Sequence, residues 1–326
     1  MRMQEYFPEG TLLETAENRE LTSSLAGLER AMATRRVVEG VVVRCDEDLT
    51  LHVDLCGIHA VIAADEVLWR RADEVRKDIA VLSRVGKAVA ARVVGFEHRG
   101  DETVAVLSRR LAQEDCRREY LSSLRAGDLI PARVTHLEPF GAFLDIGCGM
   151  VSLLSVDSIS VSRISHPRDR LSVGMDLTVA VKSVDPLDGR IYATLRELLG
   201  TWKENASLFS VGQTVTGILR SVENYGVFVE LAPNLAGLAE VHGEKHAAEL
   251  RAQIGRGVSV YIKNILPERM KIKLVLIDSG FPAPKPKSPR YFIDCSSIAH
   301  LSSWVYSPPE ARKLVETRFD APFDGI

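Results

Sequence analysis

The stretch EPFGAFLDIG, from Glu138 to Gly147, holds two phenylalanines separated by a glycine and an alanine and followed by a carboxylate. Residues of a β-strand alternate between its two faces, so Phe140 and Phe143 should point in opposite directions. Gly141 would permit a β-bulge, which shifts the alternation by one residue and brings both rings to one face. The rings then form either part of a core or an exposed aromatic surface.

The same pattern returns further along the chain in the stretch YGVFVELA, where Tyr225 takes the place of Phe140. The second halves of the two copies also match, starting with Gly174 on Gly255, but at a slightly smaller offset, which implies a short deletion between the halves. A fainter third copy lies upstream, where Gly86 occupies the place of Gly174. A chain that repeats itself in this way is built from copies of one structural unit.

Each copy contains two runs of alternating apolar residues, a third short run, an irregular or helical insert and a final hairpin. Five short strands with a helical insert between the third and fourth are typical of a small Greek-key barrel of the oligonucleotide-binding (OB) type. Stretches with helical periodicity separate the copies. The sequence therefore predicts a mainly β protein, with tandem five-stranded OB-fold barrels joined by short helical linkers, an N-terminal helix and a small C-terminal β tail.

The repeats and spacers divide the chain into five predicted segments. They are an N-terminal helical segment at 1–35, a degenerate first barrel at 36–110, two further barrels at 126–197 and 210–278, and a proline-rich linker with a β tail at 279–326. In the first segment, apolar residues recur at the spacing of a helix. In the last segment, the aromatic stretch YFIDCSSIAHLSSWVYSPP contains two short strands, which we expect to form a hairpin docked on the third barrel.

The composition is that of an ordinary globular protein, with 46% hydrophobic and 26% charged residues. The N-terminus lacks the apolar core of a secretory signal, and no apolar run approaches the roughly 20 residues that a bilayer-spanning helix needs. Five scattered cysteines without a CxxC pair indicate reduced thiols, so we predict a cytoplasmic protein with no membrane partner. The net charge of -3 argues against a histone-like electrostatic binder, so any binding to nucleic acid would depend on local patches and stacking.

Three motifs of the second copy resemble a known family. They are the aromatic-Gly-x-Phe stretch, the HPRD block with the VG that follows it, and the hairpin DPLDGRI. On these motifs, most of residues 126–278 resemble the RNA-binding barrel of the ribosomal protein S1 family, which also occurs in polynucleotide phosphorylase, whereas the first copy matches weakly. The resemblance implies a short bacterial homologue with three repeats. It would be a non-catalytic protein that binds single-stranded RNA in translation or RNA metabolism, with the small ribosomal subunit as a further candidate partner.

The binding face of that family comprises two aromatics on the second strand, a residue that ends the third strand, and an Asp and an Arg around the last hairpin. In the second barrel, the resemblance assigns these roles to Phe140, Phe143, Ser155, Asp185 and Arg190. In the third barrel, it assigns them to Tyr225, Phe228, Glu240 and Lys271. The residue that ends the third strand is often His in the family, and Glu240 is unfavourable beside a phosphate. The first copy has DEDLTLHVDL in this place and no aromatic pair, which indicates a barrel without a stacking surface.

Two basic groups add candidates for contacts with the RNA backbone. The denser group lies on the last hairpin of the third copy and comprises Lys263, Arg269, Lys271 and Lys273. The other group lies around the HPRD stretch and comprises Arg163, Arg168 and Arg170. A solvated hairpin face and a structural role for HPRD are the alternative interpretations of these groups.

Two other functions stay open at this point. Barrels of this type can dock on proteins, so the alternative is a protein-interaction scaffold that binds the ribosome or another protein without reading RNA. An enzyme is less favoured, because the sequence contains no nucleophile motif, phosphate-binding loop or catalytic centre. The stretch HGEKH pairs His242 with His246, but its glutamate is misplaced for a zinc motif. We therefore predict no metal, no cofactor and no small-molecule substrate.

Overall fold

The structure is a computed structural model, which describes residues 6–70, 75, 77–241, 243–282 and 285–320. Its described part contains three closed five-stranded barrels and one two-stranded sheet, so the predicted fold class is confirmed. The chain divides into two compact units, one of residues up to 124 with 131–133 and 144–151, the other of residues 125–130, 134–143 and 152 onward. The first barrel lies in the first unit, and the third barrel lies in the second unit.

Two short helices precede the first barrel, α1 at Ala16–Thr22 and α2 at Leu25–Thr34. The single helix expected here is divided because the Ser24 hydroxyl caps α2 by accepting a hydrogen bond from Gly27 N. The barrel elements are β1 at Val37–Cys45, β2 at Leu51–Leu55, β3 at Ile58–Ile62, α3 at Asp78–Leu82, β4 at Ala88–Arg99 and β5 at Glu102–Ser108. The strands pair in the order β1-β2-β3-β5-β4, with β3 and β5 parallel. Their branched apolar side chains, mostly valine and leucine, fill the core, and the β-branched valines favour strands.

The second barrel follows a helical spacer, as predicted. The spacer contains α4 at Arg109–Asp115, and the barrel strands are β6 at Leu129–Glu138, β7 at Gly141–Asp145, β8 at Val151–Ser155, β9 at Asp176–Val184 and β10 at Ile191–Thr194. The strand order is β10-β8-β7-β6-β9, which is the same cyclic arrangement as in the first barrel. The insert between β8 and β9 is short and irregular, with single 3-10 turns such as Pro167–Asp169.

The third barrel repeats this plan with a longer final hairpin. Its elements are α5 at Trp202–Ala206, β11 at Thr214–Glu223, β12 at Gly226–Ala232, β13 at Leu235–Ala239, α6 at Glu244–Arg251, β14 at Gly257–Leu266 and β15 at Lys271–Phe281. The order is β11-β12-β13-β15-β14. The strands of the first two barrels lie inside 36–110 and 126–197, whereas β15 runs past the predicted end at 278. The domain boundaries themselves stay a prediction.

The C-terminal segment packs differently from the expected hairpin of two aromatic strands. Strand β16 at Ser303–Val305 pairs with β17 at Glu316–Arg318, which lies beyond the aromatic stretch. The first half of that stretch is not a strand, because Tyr291 packs in another cluster and its hydroxyl accepts a hydrogen bond from Thr178 N on β9. Trp304 and Tyr306 pack in the core cluster of the third barrel, so this part of the segment is docked there as expected.

Candidate nucleic-acid interface

Three aromatic rings, two of which contact the third, lie on the outside of the second barrel. Phe140 lies in the turn before β7 and is 55% exposed, and Phe143 lies half-buried on β7. Their ring centroids are 5.9 Å apart with an interplanar angle of 89°. The exposed ring of His136 on β6 also stacks on Phe143, with centroids 6.3 Å apart and an interplanar angle of 27°. These three side chains are called the second-barrel platform below.

The third barrel holds the same pair of rings. Tyr225 lies in the turn before β12 and is 67% exposed, and Phe228 lies half-buried on the strand. Their centroids are 6.1 Å apart at 90°, so the edge-to-face geometry of the second barrel is reproduced. This pair is called the third-barrel platform. It lacks the third ring, because Ser221 stands where the alignment of the two copies puts the counterpart of His136.

The glycine between the two rings does not form the predicted β-bulge. In the third barrel, the register breaks between Leu219 and Ser221 on β11, whereas Gly226 to Val229 pair without interruption. The bulge prediction is therefore wrong there, and the first ring reaches the face from a turn. Gly226 has φ of +148°, and a Cβ on it would lie 2.5 Å from the carbonyl oxygen of Ala239. The glycine is needed because the neighbouring strand comes this close.

Strand pairing extends each platform across the barrel. In the third barrel, Phe228 pairs with Leu238, and Leu238 pairs with Lys273. In the second barrel, the residue in the position of Lys273 is Tyr192, which pairs with Leu153 and is half-buried. Neither His136 nor Tyr192 was predicted from the sequence. The alignment of the two copies carries a signal for Tyr192, because it places this residue at the position of Lys273, which was predicted to contact RNA. It carries none for His136, which is aligned with Ser221.

Around the final hairpin of the second barrel, the predicted residues have local partners. The Asp185 carboxylate accepts a hydrogen bond from Leu187 N at 2.8 Å, so it shapes the turn between β9 and β10. The Arg190 side chain is 68% exposed and pairs with Asp188, with Nε and Oδ2 3.0 Å apart. An exposed ion pair of this kind contributes little stability, so the guanidinium can exchange its partner for a phosphate.

At the end of β8, Ser155 belongs to a small polar cluster. Its hydroxyl donates to the hydroxyl of Ser158 at 2.9 Å, and the Lys182 ammonium donates to the same oxygen at 3.0 Å. The cluster brings a cation beside the strand end that the family resemblance singled out. In the third barrel, the exposed carboxylate of Glu240 follows the corresponding strand end instead.

The arginines near HPRD have different environments. Arg168 is exposed on the 3-10 turn Pro167–Asp169. Arg170 is mostly buried and donates to the Glu230 carboxylate of β12. Arg220 donates to the same carboxylate at 2.6 Å and to Asp169 at 3.0 Å. Burial lowers the pKa of Arg170, and the Glu230 charge opposes the shift. The hypothesis that Arg170 contacts RNA is therefore wrong, because a buried carboxylate already holds its guanidinium.

The predicted basic group lies on one hairpin of the third barrel, as its sequence spacing suggested. Lys271 and Lys273 are exposed on β15, where they alternate with the buried Ile272. Lys263 is exposed on β14, at the point where the register with β15 breaks. Arg269 is exposed in the 3-10 turn Pro267–Arg269 that joins the two strands. The four cations thus share the outer surface of the final hairpin.

The first barrel has a histidine where the other barrels have a platform phenylalanine. His52 pairs with Arg44 across a register break, just as Phe228 pairs with Ser221. Its ring is 2% exposed and stacks on His59 at 5.0 Å. Its Nε2 lies 2.6 Å from Asp46 Oδ2, and its Nδ1 lies 2.7 Å from His59 Nε2. Both ring nitrogens are occupied and the ring is covered, so this position offers no surface for stacking.

The described residues contain no group of three or more His, Cys, Asp or Glu side chains that could hold a metal ion. His246 lies on α6, whereas His242 lies outside the described residues. Within the same part of the chain, no helix is both long enough and apolar enough to span a bilayer.

Tandem OB-fold barrels that expose aromatic pairs on one face are an architecture of oligonucleotide-binding proteins. Residues 123–196, which contain the strands of the second barrel, match the family model of the S1 RNA binding domain. The second barrel is therefore similar to S1 RNA binding domains. The family model covers one of the three barrels, so three S1 repeats stay a prediction.

Relatives of the chain carry the same family name. It is 32% identical over 178 residues to small ribosomal subunit protein bS1 of Staphylococcus aureus, which covers 52% of this chain and 45% of that protein. It is 27% identical over 320 residues to bS1 of Mycolicibacterium smegmatis, which covers 94% and 64%. The chain thus spans less than two thirds of these relatives. A solved multidomain protein with nucleic acid binding domains from Streptococcus pneumoniae is 15% identical, covers 76% of this chain and 74% of that chain, and has a TM-score of 0.24.

Proposed function

We propose that this chain is a non-catalytic protein that binds single-stranded RNA through aromatic stacking on its second and third barrels. One observation carries the proposal: two barrels with different sequences hold the same exposed edge-to-face ring pair at the same strand position. An isolated exposed ring needs no explanation, but burying a phenylalanine is worth about 1.5–3 kcal/mol. Phe140 and Tyr225 forgo this stabilisation, one in each copy. Their shared exposure therefore supports a ligand that covers both rings.

Bases are suitable ligands for these rings. Every base has a π-face, and stacking on an aromatic side chain is worth about 1–3 kcal/mol per base without regard to sequence. Cations beside each platform would hold the phosphates. The residues proposed to contact RNA are Phe140, Phe143, Ser155, Arg168, Asp185, Arg190, Tyr225, Phe228, Lys263, Arg269, Lys271 and Lys273, joined by His136 and Tyr192.

Binding would be shared between the barrels. The chain has 41 cationic and 44 acidic residues, so no large positive field attracts RNA to a single site. Two modest sites on one chain bind a continuous strand more tightly than either alone, because binding at one raises the effective concentration of RNA at the other. Since the relatives are small ribosomal subunit proteins of bacteria, we propose a role in bacterial translation or RNA metabolism in the cytoplasm, with the small ribosomal subunit as a partner.

The covered face of the first barrel favours one other function. In the first barrel, Asp46 and His59 occupy both ring nitrogens of His52, so bases cannot stack at that position. We propose docking on a protein as a use of such a surface. A pull-down after nuclease treatment tests this second candidate: a stoichiometric protein partner supports it, and recovery that depends on RNA contradicts it.

Fluorescence anisotropy with a labelled single-stranded RNA, at two salt concentrations, tests the main proposal. Phe140→Ala/Phe143→Ala should weaken binding by about 2 kcal/mol or more, because stacking is lost. The control is Phe281→Ala, which removes a partly exposed aromatic ring at the far end of β15 and should leave binding unchanged. Absence of binding by the wild type at low salt, or equal binding by all three proteins, would contradict the proposal.

A further inference from the structure

The C-terminal segment forms a fixed loop beside the third barrel. At its neck, Tyr306 N donates to the Val315 carbonyl at 2.9 Å. The buried hydroxyl of Ser307 accepts from Val315 N at 2.8 Å and donates to the Lys313 carbonyl at 2.7 Å. With Tyr306 in the core of the third barrel, the backbone around Lys313 has a defined position.

This loop faces the turn between β14 and β15. Arg312 N donates to the carbonyl of Glu268 at 3.1 Å, which ties the loop to the turn. A cleft of about 370 Å³ lies between them. Its walls are formed by Glu268, Arg269, Met270, Lys271, Arg312 and Lys313. The segment therefore adds two cations to two that the barrel already supplies.

The cleft has an excess of positive charge. Four cationic side chains and one carboxylate line it, and all four cations are exposed. Across the part of the chain that the structure describes, none of the four has a side-chain hydrogen bond or an ion pair with a carboxylate. Like charges that share one cleft repel each other, so an anion in the cleft would relieve this repulsion.

The cleft continues the third-barrel platform. Lys271 and Lys273 lie two residues apart on the same outer face of β15, which is about 7 Å along a strand. Lys273 in turn pairs with Leu238, and Leu238 pairs with Phe228 of the platform. A strand of RNA stacked on the rings would therefore bring its backbone to the cleft. The repeated single negative charges and oxygen acceptors of a phosphodiester match the cations there.

We propose that the C-terminal segment completes a phosphate-binding cleft with the third barrel, in which Arg312 and Lys313 act with Arg269 and Lys271 on the backbone of single-stranded RNA. The inference rests on the function proposed above and extends it, because it gives the C-terminal segment a direct part in binding.

The test is a salt titration with a labelled 12-nucleotide oligouridine. The variant Arg312→Gln/Lys313→Gln removes two phosphate contacts, and each contact contributes about 0.7 to the slope of log K against log salt for a single strand. The slope should therefore become less steep by about 1.4, and binding at 0.1 M salt should weaken about 25-fold, with the difference vanishing towards 1 M. The control Lys285→Gln/Lys287→Gln removes the same charge from the exposed linker and should keep the wild-type slope.

The outcomes separate the two proposals. If Tyr225→Ala/Phe228→Ala weakens binding while Arg312→Gln/Lys313→Gln keeps the wild-type slope, stacking stands and the cleft is overturned. Equal changes of slope in the cleft and linker variants would also overturn it, since net charge alone would then explain them. If the wild type fails to bind oligouridine at low salt, the proposed function fails and this inference fails with it. Unchanged tryptophan fluorescence in a Trp69→Phe/Trp202→Phe background, where the buried Trp304 is the remaining emitter, would show that the segment stays docked in each variant.

Discussion

The first and third barrels have the same strand order and a register break at the same place, yet they differ at the residue of the second strand that follows this break. In the third barrel that position is Phe228, half-buried beside an exposed tyrosine. In the first barrel it is His52, which is covered and hydrogen-bonded to Asp46 and His59. The comparison teaches that the barrel is a scaffold, and that a few outward-facing side chains decide whether it carries a site.

The unit that contains the first barrel also buries charge for stability. The Glu9 carboxylate accepts from Arg109 and from Ala90 N, and Glu39 accepts from three backbone amides of the N-terminal segment. The platforms of the other two barrels instead leave apolar rings in contact with solvent. We therefore expect changes in the first barrel to act on stability and changes at the platforms to act on RNA binding.

The largest expected effect is a loss of stability on removal of a buried charge from the unit that contains the first barrel. Arg109 is almost fully buried and donates to the Glu9 carboxylate at 2.6 and 3.0 Å. Arg109→Ala removes both guanidinium hydrogen bonds from the buried Glu9 carboxylate and leaves it only the longer ion pair with Arg84, at 3.6 Å, so the free energy of unfolding should fall by about 3–5 kcal/mol in urea denaturation. The control Arg110→Ala breaks the partly exposed pair with Glu66 and should change stability by about 1 kcal/mol or less. Similar losses in both variants would contradict this account of the first unit.

A pH profile tests the same unit through Glu39. Burial, reinforced by the charge of Glu9, raises the pKa of Glu39 to about 7, although backbone amides oppose the shift. Because this pKa lies above the ordinary value of 4.5, the folded state retains a proton that the unfolded chain loses. The contribution of Glu39 to stability therefore falls as the pH rises from 4.5 to 7.

Glu39→Gln removes this titration and keeps an oxygen for the three amides. Relative to wild type, the free energy of unfolding of the variant should rise by about 3 kcal/mol between pH 4.5 and pH 8. Urea denaturation at a series of pH values measures the difference. Parallel profiles for the two proteins would mean that Glu39 binds protons equally in the folded and unfolded states.

A matched pair of substitutions at the corresponding position compares the barrels directly. Phe228→Ala should weaken binding of single-stranded RNA by about 1–3 kcal/mol through lost stacking. His52→Ala should leave RNA affinity unchanged and lower stability, because it removes the buried hydrogen bonds that the His52 ring makes with Asp46 Oδ2 and His59 Nε2. Anisotropy titration and urea denaturation of both variants give the two readouts. Equal losses of RNA affinity would remove the distinction between the barrels.

The smallest expected effect concerns the third ring of the second-barrel platform. His136→Ala should weaken RNA binding by about 0.5 kcal/mol, or about twofold, since it removes a ring that stacks on Phe143. Ser221→His should bring a similar gain to the third barrel, where the ring is absent. Ser221→Asn serves as the polar control. If His136→Ala binds like wild type and Ser221→His brings no gain, the ring has no part in binding.

The platforms were the part of the site that could be predicted from the sequence. The spacing of two aromatics around a glycine is local, and it recurs in the next copy, so the repeat alone placed both ring pairs on one face. The role of the glycine was predicted incorrectly as a β-bulge. Its actual role, to allow the close approach of Ala239 to Gly226, depends on a neighbouring strand that the local pattern does not describe. His136 and Tyr192 were missed for a related reason, since they join the rings only through strand pairing.

The sequence by itself determined the repeat, the barrel class and the ring pairs, because these depend on residues close together in the chain. The tertiary structure alone decided that Arg170 binds Glu230, that β16 pairs with β17 and that Arg312 reaches the turn at Glu268. Each of these contacts joins segments far apart in the sequence, and many basic or aromatic residues could have taken the same place. The choice among them is made by packing and by the pairing of buried charge, which no local pattern records.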